Sequence, residues 1–325
     1  MIFSLPDIPE LSPNRLAMPY VEELIKDHQK FKVAVHEQDR VHIIDCGVNV
    51  RGSWEAGILF ATISMGGLGQ VDTRWADFNG FRWPSVQVMT DHPLRACMLS
   101  QFAGWPIYTR GFSALGSGPG RAVADFENIF TELGCVDQSE IAILCLESEK
   151  LPTKEAIRNI LEKCHCKPEN LFILVAPTTS SVGSIQIAAR ALETGLYKLK
   201  SLSYDISTIR SGWGVCPLPP VAPDRITALG RTNDAILYGA TVYYNVEDND
   251  ENLAAMIHQL PSSFSKEFGR SFIEIFKNNE DFYDIDPLLF SPAEVWLTNL
   301  KSGRTFHAGR IRPDILVASF GTIND

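Results

Sequence analysis

Residues 169–195 read ENLFILVAPTTSSVGSIQIAARALETG, and three features of that stretch decide the fold. Leu171–Pro177 is a continuous apolar run of strand length, the mark of a strand buried on both faces. A polar turn, TTSS, follows it. From Ser181 to Leu202 apolar residues recur at helical spacing, the longest uninterrupted helical pattern in the chain. Working outward, SVQVMT (85–90) and IAILCLE (141–147) are further short apolar runs. The helical patterns PLRACMLSQFAGW (93–105), GRAVADFENIFTELG (120–134) and TKEAIRNILEKC (153–164) lie between and around them. Strands that alternate with helices predict an α/β, mixed α+β fold. Residues 84–105 repeat the order strand, polar turn, helix, which hints at two lobes built alike.

The flanks fill in this frame. Leu16–Phe31 has helical spacing behind Ser12-Pro13, and KVAVHEQDRVHIIDC (32–46) alternates like a hairpin around a polar turn. Ser53 reads as the cap of a helix that must stop at Gly66-Gly67. SGWGVCPLPPVAP (211–223) is rich in glycine and proline and reads as a functional loop. NLAAMIHQL and SKEFGRSFIEIFKN are helical patterns, and VWLTNL, Ser302-Gly303 and TFHAGRI form a closing hairpin.

With 325 residues the chain is long enough for about two domains at roughly 150 residues each. Its 45% apolar and 21% charged residues and a mean hydropathy of −0.02 are those of a soluble globular protein. Twenty-nine basic against 39 acidic residues give a net charge of −10, which argues against a nucleic-acid backbone as partner. The seven cysteines are an odd number spread thinly and read as reduced thiols. Cys164-His165-Cys166 lacks the second donor pair that a zinc site needs. No apolar run approaches about 18 residues and no basic n-region opens the chain, so no membrane span is expected and the cytoplasm is the expected compartment.

Three glycine-rich turns stand out: GGLG (66–69), GSGPGR (116–121) and SGWG (211–214). None has the P-loop or the dinucleotide-binding spacing, which disfavours nucleotides. In GSGPGR, Ser117 and Gly118 precede a proline at the expected first helical turn. N–H groups there, beside Arg121, could meet an anion or a carbonyl-rich ring; an ordinary tight strand-to-helix turn would look the same. Asp91-His92-Pro93 follows the strand SVQVMT, where α/β proteins present side chains; His92 is either an acid-base group or a turn element. The histidines form no HxH or HExxH pattern, and no GxSxG elbow appears. Arg190 and Glu193 are three apart on one helical face, close enough for the guanidinium to orient the carboxylate. A solvated ion pair has the same spacing.

Together these motifs form a recognisable set. IIDCGVNVRGSWEAG, MGGLGQV, TDHPLRACMLSQFAGW, GSGPGRA, ENLFILVAPTTSSVGSIQIAARALE, GRTNDAILYG and EIFKNNEDFYDIDPLLFSPAE closely resemble methenyltetrahydromethanopterin cyclohydrolases from about residue 43 to the C-terminus. GSGPGR and the FSPAE tail look more like the enzymes of bacteria that oxidise one-carbon compounds, which implies a place in formaldehyde oxidation to formate. The resemblance implies hydrolysis of a cationic methenyl bridge to the 5-formyl pterin, without metal or organic cofactor. It carries the catalytic pair over to Arg190 and Glu193. It also suggests Asn49, Ser53, Glu55, Asp91, His92, Ser117, Gly118, Arg121, Ser180, Ser184, Asn233 and Asp234 as groups lining the pterin cleft. A two-lobed fold with the pocket between the lobes and a homo-oligomer, a trimer by precedent, come with it. The expected lobes are 1–40 with 68–138 and 280–325, and 41–67 with 139–279. Two alternatives remain open: the same reaction on a folate, and a non-catalytic pterin carrier.

Overall fold

The computed structural model describes residues 11–124, 127–133, 136–278 and 285–322. Its strands are β1 (Ala34–Gln38), β2 (Val41–Asp45), β3 (Gln70–Phe78), β4 (Phe81–Thr90), β5 (Trp105–Thr109), β6 (Phe112–Ser117), β7 (Ala142–Glu147), β8 (Leu171–Ala176), β9 (Ile209–Pro217), β10 (Thr241–Val246), β11 (Glu294–Asn299) and β12 (Thr305–Gly309). Its helices are α1 (Pro13–Lys26), α2 (His28–Phe31), α3 (Trp54–Ser64), α4 (Gly120–Ala124), α5 (Asn128–Leu133), α6 (Lys154–Cys164), α7 (Ser181–Ala188), α8 (Ala191–Ser201), α9 (Arg225–Gly239), α10 (Asp250–Met256), α11 (Phe272–Asn278) and α12 (Pro313–Phe320). A π-helix, Leu94–Gln101, stands where the pattern 93–105 predicts an α-helix.

Two compact units divide the chain, one made of residues through Gln70 and Leu94–Gln186, the other of Val71–Pro93 and the chain from Ile187 on. This corrects the lobe boundaries expected from the sequence. Strands β5 and β6, expected in one lobe, are hydrogen-bonded into the same sheet as β7 and β8, expected in the other.

The first unit is built on the sheet β1-β2-β8-β7-β6-β5, with β2, β8 and β7 parallel. Ile143 and Cys145 of β7, with Leu174 and Ala176 of β8, pack in one core beside residues of α1 and α3. Leu144, Leu146, Ile173 and Val175 alternate to the opposite face, in a core shared with Ile157 and Ile160 of α6. Burial on both faces is why these strands read as unbroken apolar runs. Ser53, the cap the sequence marks, accepts from the Ala56 N–H, and Thr153 does the same for Ala156.

The second unit is built on the sheet β12-β11-β10-β9-β4-β3. Strands β10 and β11 are parallel, while β4, β9 and β10 run antiparallel in sequence, and β11 and β12 make the expected hairpin. Here the reading of 211–223 as a loop is corrected. Ser211–Pro217 is the greater part of β9, an interior strand of this sheet. Its glycines are packing residues. A Cβ on Gly212 would lie 3.1 Å from Leu192 Cδ2, and one on Gly214 would lie 3.4 Å from Leu192 Cγ, so α8 lies close against the strand.

Two further expectations change. The helical pattern from Ser181 to Leu202 is broken: α7 ends at Ala188, and Arg190, at φ −83° and ψ 4°, caps a separate helix α8. Of SKEFGRSFIEIFKN, only Phe272–Asn278 is α-helical. The six described cysteines are free thiols, and burial pushes those of Cys46, Cys164 and Cys216 up. Cys135 and the stretch 279–284 of the FSPAE-containing motif lie outside the described residues. No described helix is long and apolar enough to cross a membrane.

Candidate active site

In the second unit the break between α7 and α8 sets the chemistry. Arg190 becomes the cap residue and Glu193 falls in the first turn of α8, where unsatisfied N–H groups favour a carboxylate anion. Glu193 is only 7% exposed, so the reading of this pair as a solvated surface ion pair does not fit it. The Arg190 carbonyl accepts from both the Thr194 N–H, at 2.8 Å, and the Thr194 hydroxyl, at 2.9 Å, which fixes this turn. The bridge-region backbone of Arg190 is a conformation found at many active sites.

The sheet beneath α8 brings a second candidate stretch to the same end. Thr90 of β4 stands opposite Gly212 of β9, which stands opposite Tyr244 of β10. Leu192 packs over Gly212 in that row. Directly after Thr90 come Asp91, exposed, and His92, half-buried, whose N–H donates to the Thr90 hydroxyl at 2.9 Å. Asp91-His92 and Arg190–Glu193 are thus carried at one level of one sheet, each a few residues from a point where the chain passes between units.

Asn233 and Asp234 behave differently. Asn233 Nδ2 donates to the Leu229 carbonyl within α9. Asp234 is fully buried and accepts from the Phe272 N–H at 2.7 Å and the Ser319 hydroxyl at 2.6 Å, joining α9 to α11 and α12. Burial pushes its carboxyl up to about 6.

In the first unit, Asn49, Ser53, Ser180 and Ser184 follow the C-terminal ends of the parallel strands β2 and β8, where open α/β sheets bind ligands. Sequence reasoning missed Asp45 there. Its buried carboxylate accepts from the N–H groups of Gly47, Val48 and Asn49 at 2.7–2.9 Å and from Asn49 Nδ2 at 3.1 Å. The signal was present in IIDCG, an aspartate at a strand end before a glycine. Gly47 in turn abuts Ser180, since a Cβ on it would lie 2.6 Å from Ser180 Cβ. Ser180 Oγ caps α7, accepting from the Gly183 N–H at 3.0 Å while donating to the Pro177 carbonyl at 2.8 Å. Ser184 is buried one turn on, and Glu55 is exposed with Lys30 Nζ at 3.9 Å. Beside them the Thr178 hydroxyl donates to Glu147 Oε1 at 2.5 Å.

The turn GSGPGR is occupied by packing. Its Gly118 N–H donates to the Ser100 carbonyl, and Ser117 Oγ donates to the Cys145 carbonyl. Cβ atoms on Gly118 and Gly120 would each lie 2.9 Å from the Ile143 carbonyl oxygen. Arg121 is fully buried between Phe102 and Phe130. It is forked onto Glu127 at 2.8 and 2.6 Å and bonded to the Met98 and Ser100 carbonyls. Of the two readings open for this turn, the tight strand-to-helix connection is the one the geometry matches, because these donors are already engaged.

A family profile described as "Cyclohydrolase (MCH)" matches residues 12–320. The chain belongs to the MCH cyclohydrolase family. It is 40% identical over 318 residues to methenyltetrahydromethanopterin cyclohydrolase of Methanococcoides burtonii, covering 97% of this chain and 99% of that one. It is 41% identical over 313 residues to the protein of the same name from Methylobacillus flagellatus, covering 95% of each. The cyclohydrolase of that name from Methanothermobacter marburgensis is 40% identical over 318 residues, 96% of this chain and 99% of that one. Among the described residues no group of three or more His, Cys, Asp or Glu side chains could hold a metal ion.

Proposed function

We propose that this cyclohydrolase opens the methenyl bridge of 5,10-methenyltetrahydromethanopterin, or its dephospho form, with water to give the 5-formyl pterin. The observation that carries the reading is Glu193, buried in the first turn of α8 directly after the Arg190 cap. A methenyl carbon between two nitrogens is already electrophilic, so the protein has to place one water and move protons. Glu193 holds that water and takes a proton as its oxygen bonds to the methenyl carbon, while Arg190 and the helix terminus keep the carboxylate ionised. The resulting carbinol then loses its hydroxyl proton as one C–N bond breaks, and the departing nitrogen is protonated. The balance is cation plus water to formyl pterin plus one proton. The reaction needs neither metal nor organic cofactor on this reading. Its setting is formaldehyde oxidation to formate, which the resemblance of GSGPGR and FSPAE to enzymes of one-carbon-oxidising bacteria supports.

Loss of the methenyl cation's near-ultraviolet absorbance tests this directly, with methenyltetrahydromethanopterin and methenyltetrahydrofolate run side by side. Fast decay of the methanopterin alone, lowered on the order of 10²–10⁴-fold by Glu193→Gln, is expected of a general base. Binding without decay would replace the enzyme by a carrier, and equal rates on the folate would remove the substrate assignment.

A further inference from the structure

The break after α7 frees Glu193 from the helix that precedes it, so something else must set where α8 sits. The structure supplies a lock on the residue next to the carboxylate. Tyr244 of β10 is fully buried, and its hydroxyl donates to the Leu192 carbonyl at 2.7 Å. That carbonyl lies in the first turn of α8, where it also faces the ordinary helical donor four residues on. Two glycines make room for the ring. A Cβ on Gly195 would fall 2.2 Å from Tyr244 Oη, and one on Gly212 would fall 3.2 Å from Tyr244 Cδ1. Only with glycine at 195 can the phenol reach the helix backbone at this depth. At the far end of the same helix, Lys198 Nζ bonds to the Leu288 carbonyl at 2.5 Å, so α8 is held at two points.

We propose that Tyr244 is a positioning residue for the reaction, fixing the height and rotation of the α8 first turn and thereby the direction of the Glu193 carboxylate. The inference rests on the role given to Glu193 above. Tyr244 need not touch substrate; it acts through the Leu192 carbonyl.

The test compares the full-length enzyme with Tyr244→Phe, Glu193→Gln and Tyr238→Phe. Tyr238 is a control of the same kind, a buried tyrosine whose hydroxyl donates to a backbone carbonyl, that of Arg270, elsewhere in the unit. Tyr244→Phe keeps the ring and removes the bond. It is expected to lower kcat on the order of 10–100-fold with KM within about twofold, since misplacing a reacting group by an ångström costs rates of that order. It is also expected to move the acidic limb of the kcat–pH profile. Tyr238→Phe should lower the melting temperature at unchanged kcat and pH profile. If Glu193→Gln is inactive while Tyr244→Phe keeps wild-type kcat, the positioning role is wrong. It is equally wrong if Tyr238→Phe lowers kcat as much for the same loss of melting temperature. If Glu193→Gln itself keeps wild-type kcat, the assignment of Glu193 fails instead, and the two failures are told apart.

Discussion

Replacing Asp234 by asparagine should stabilise the protein, and the gain should grow with pH. The carboxyl is fully buried, and burial raises its protonation from 3.8 in the unfolded chain to about 6 in the folded one. Between those values the folded chain holds a proton that the unfolded chain has lost. Stability therefore falls as pH rises from about 4 to about 6, and the deficit is complete above that. At about 1.4 kcal/mol per pH unit the full deficit is about 3 kcal/mol, of which about half is in place at pH 5. Asparagine keeps both contacts: its oxygen accepts from the Phe272 N–H, and its amide faces the Ser319 hydroxyl, which rotates to accept. Urea unfolding followed by tryptophan fluorescence should show Asp234→Asn about 3 kcal/mol more stable at pH 7.5 and about half that at pH 5. A variant less stable than wild type at pH 7.5, or an advantage that does not change with pH, would refute the reasoning. Unchanged kcat and KM would also remove Asp234 from the substrate-lining set.

The other predictions are narrower. Arg121→Met strands the nearly buried Glu127 and two carbonyls and should cost about 3–5 kcal/mol in urea unfolding, whereas an Arg121 engaged with substrate would show first as a raised KM. Gly195→Ala should lower the melting temperature by forcing its methyl against the Tyr244 hydroxyl, and adding Tyr244→Phe should restore part of the loss; no recovery would show that the clash lies elsewhere. Gly80→Ala meets no atom within 4 Å but sits at φ +90°, so only backbone strain is felt; a loss of about 1–2 kcal/mol with unchanged activity is expected from the same urea assay.

Legibility in the sequence followed burial. β7 and β8 could be read from IAILCLE and LFILVAP because both their faces are covered and every position but Glu147 is apolar. β10, TVYYNV, alternates between buried and half-buried positions, and β5 and β6 alternate between covered and open faces, so they left no run to find. β9 was hidden by its own solution to packing, since Gly212 and Gly214 make room for Leu192 and look like loop in one dimension. The break at Arg190 was invisible because Ala188, Ala189 and Arg190 are all good helix formers, and tertiary packing overrode them. For the site, the spacing of Arg190 and Glu193 was visible but not its cause, the start of a helix between them. The duties of Arg121 and Asp234 depend on partners such as Met98, Phe272 and Ser319, which no local pattern reveals.

The way the chain threads its two units also sets an order of events at the ribosome. The β3–β4 hairpin, residues 70–90, is complete early, yet the neighbour that pairs with β4 is β9, which begins only at Ile209. At the usual 5–20 residues per second the hairpin waits on the order of ten seconds for the partner of its β4 edge. Through that interval Phe81, Trp83, Val86 and Val88, half-buried or buried in the finished fold, have no sheet to join. The first unit can close as soon as β8 and α7 have emerged, so the nascent chain passes through a stage with one finished half and one sticky, unpaired ribbon. Chaperone demand during synthesis should concentrate there.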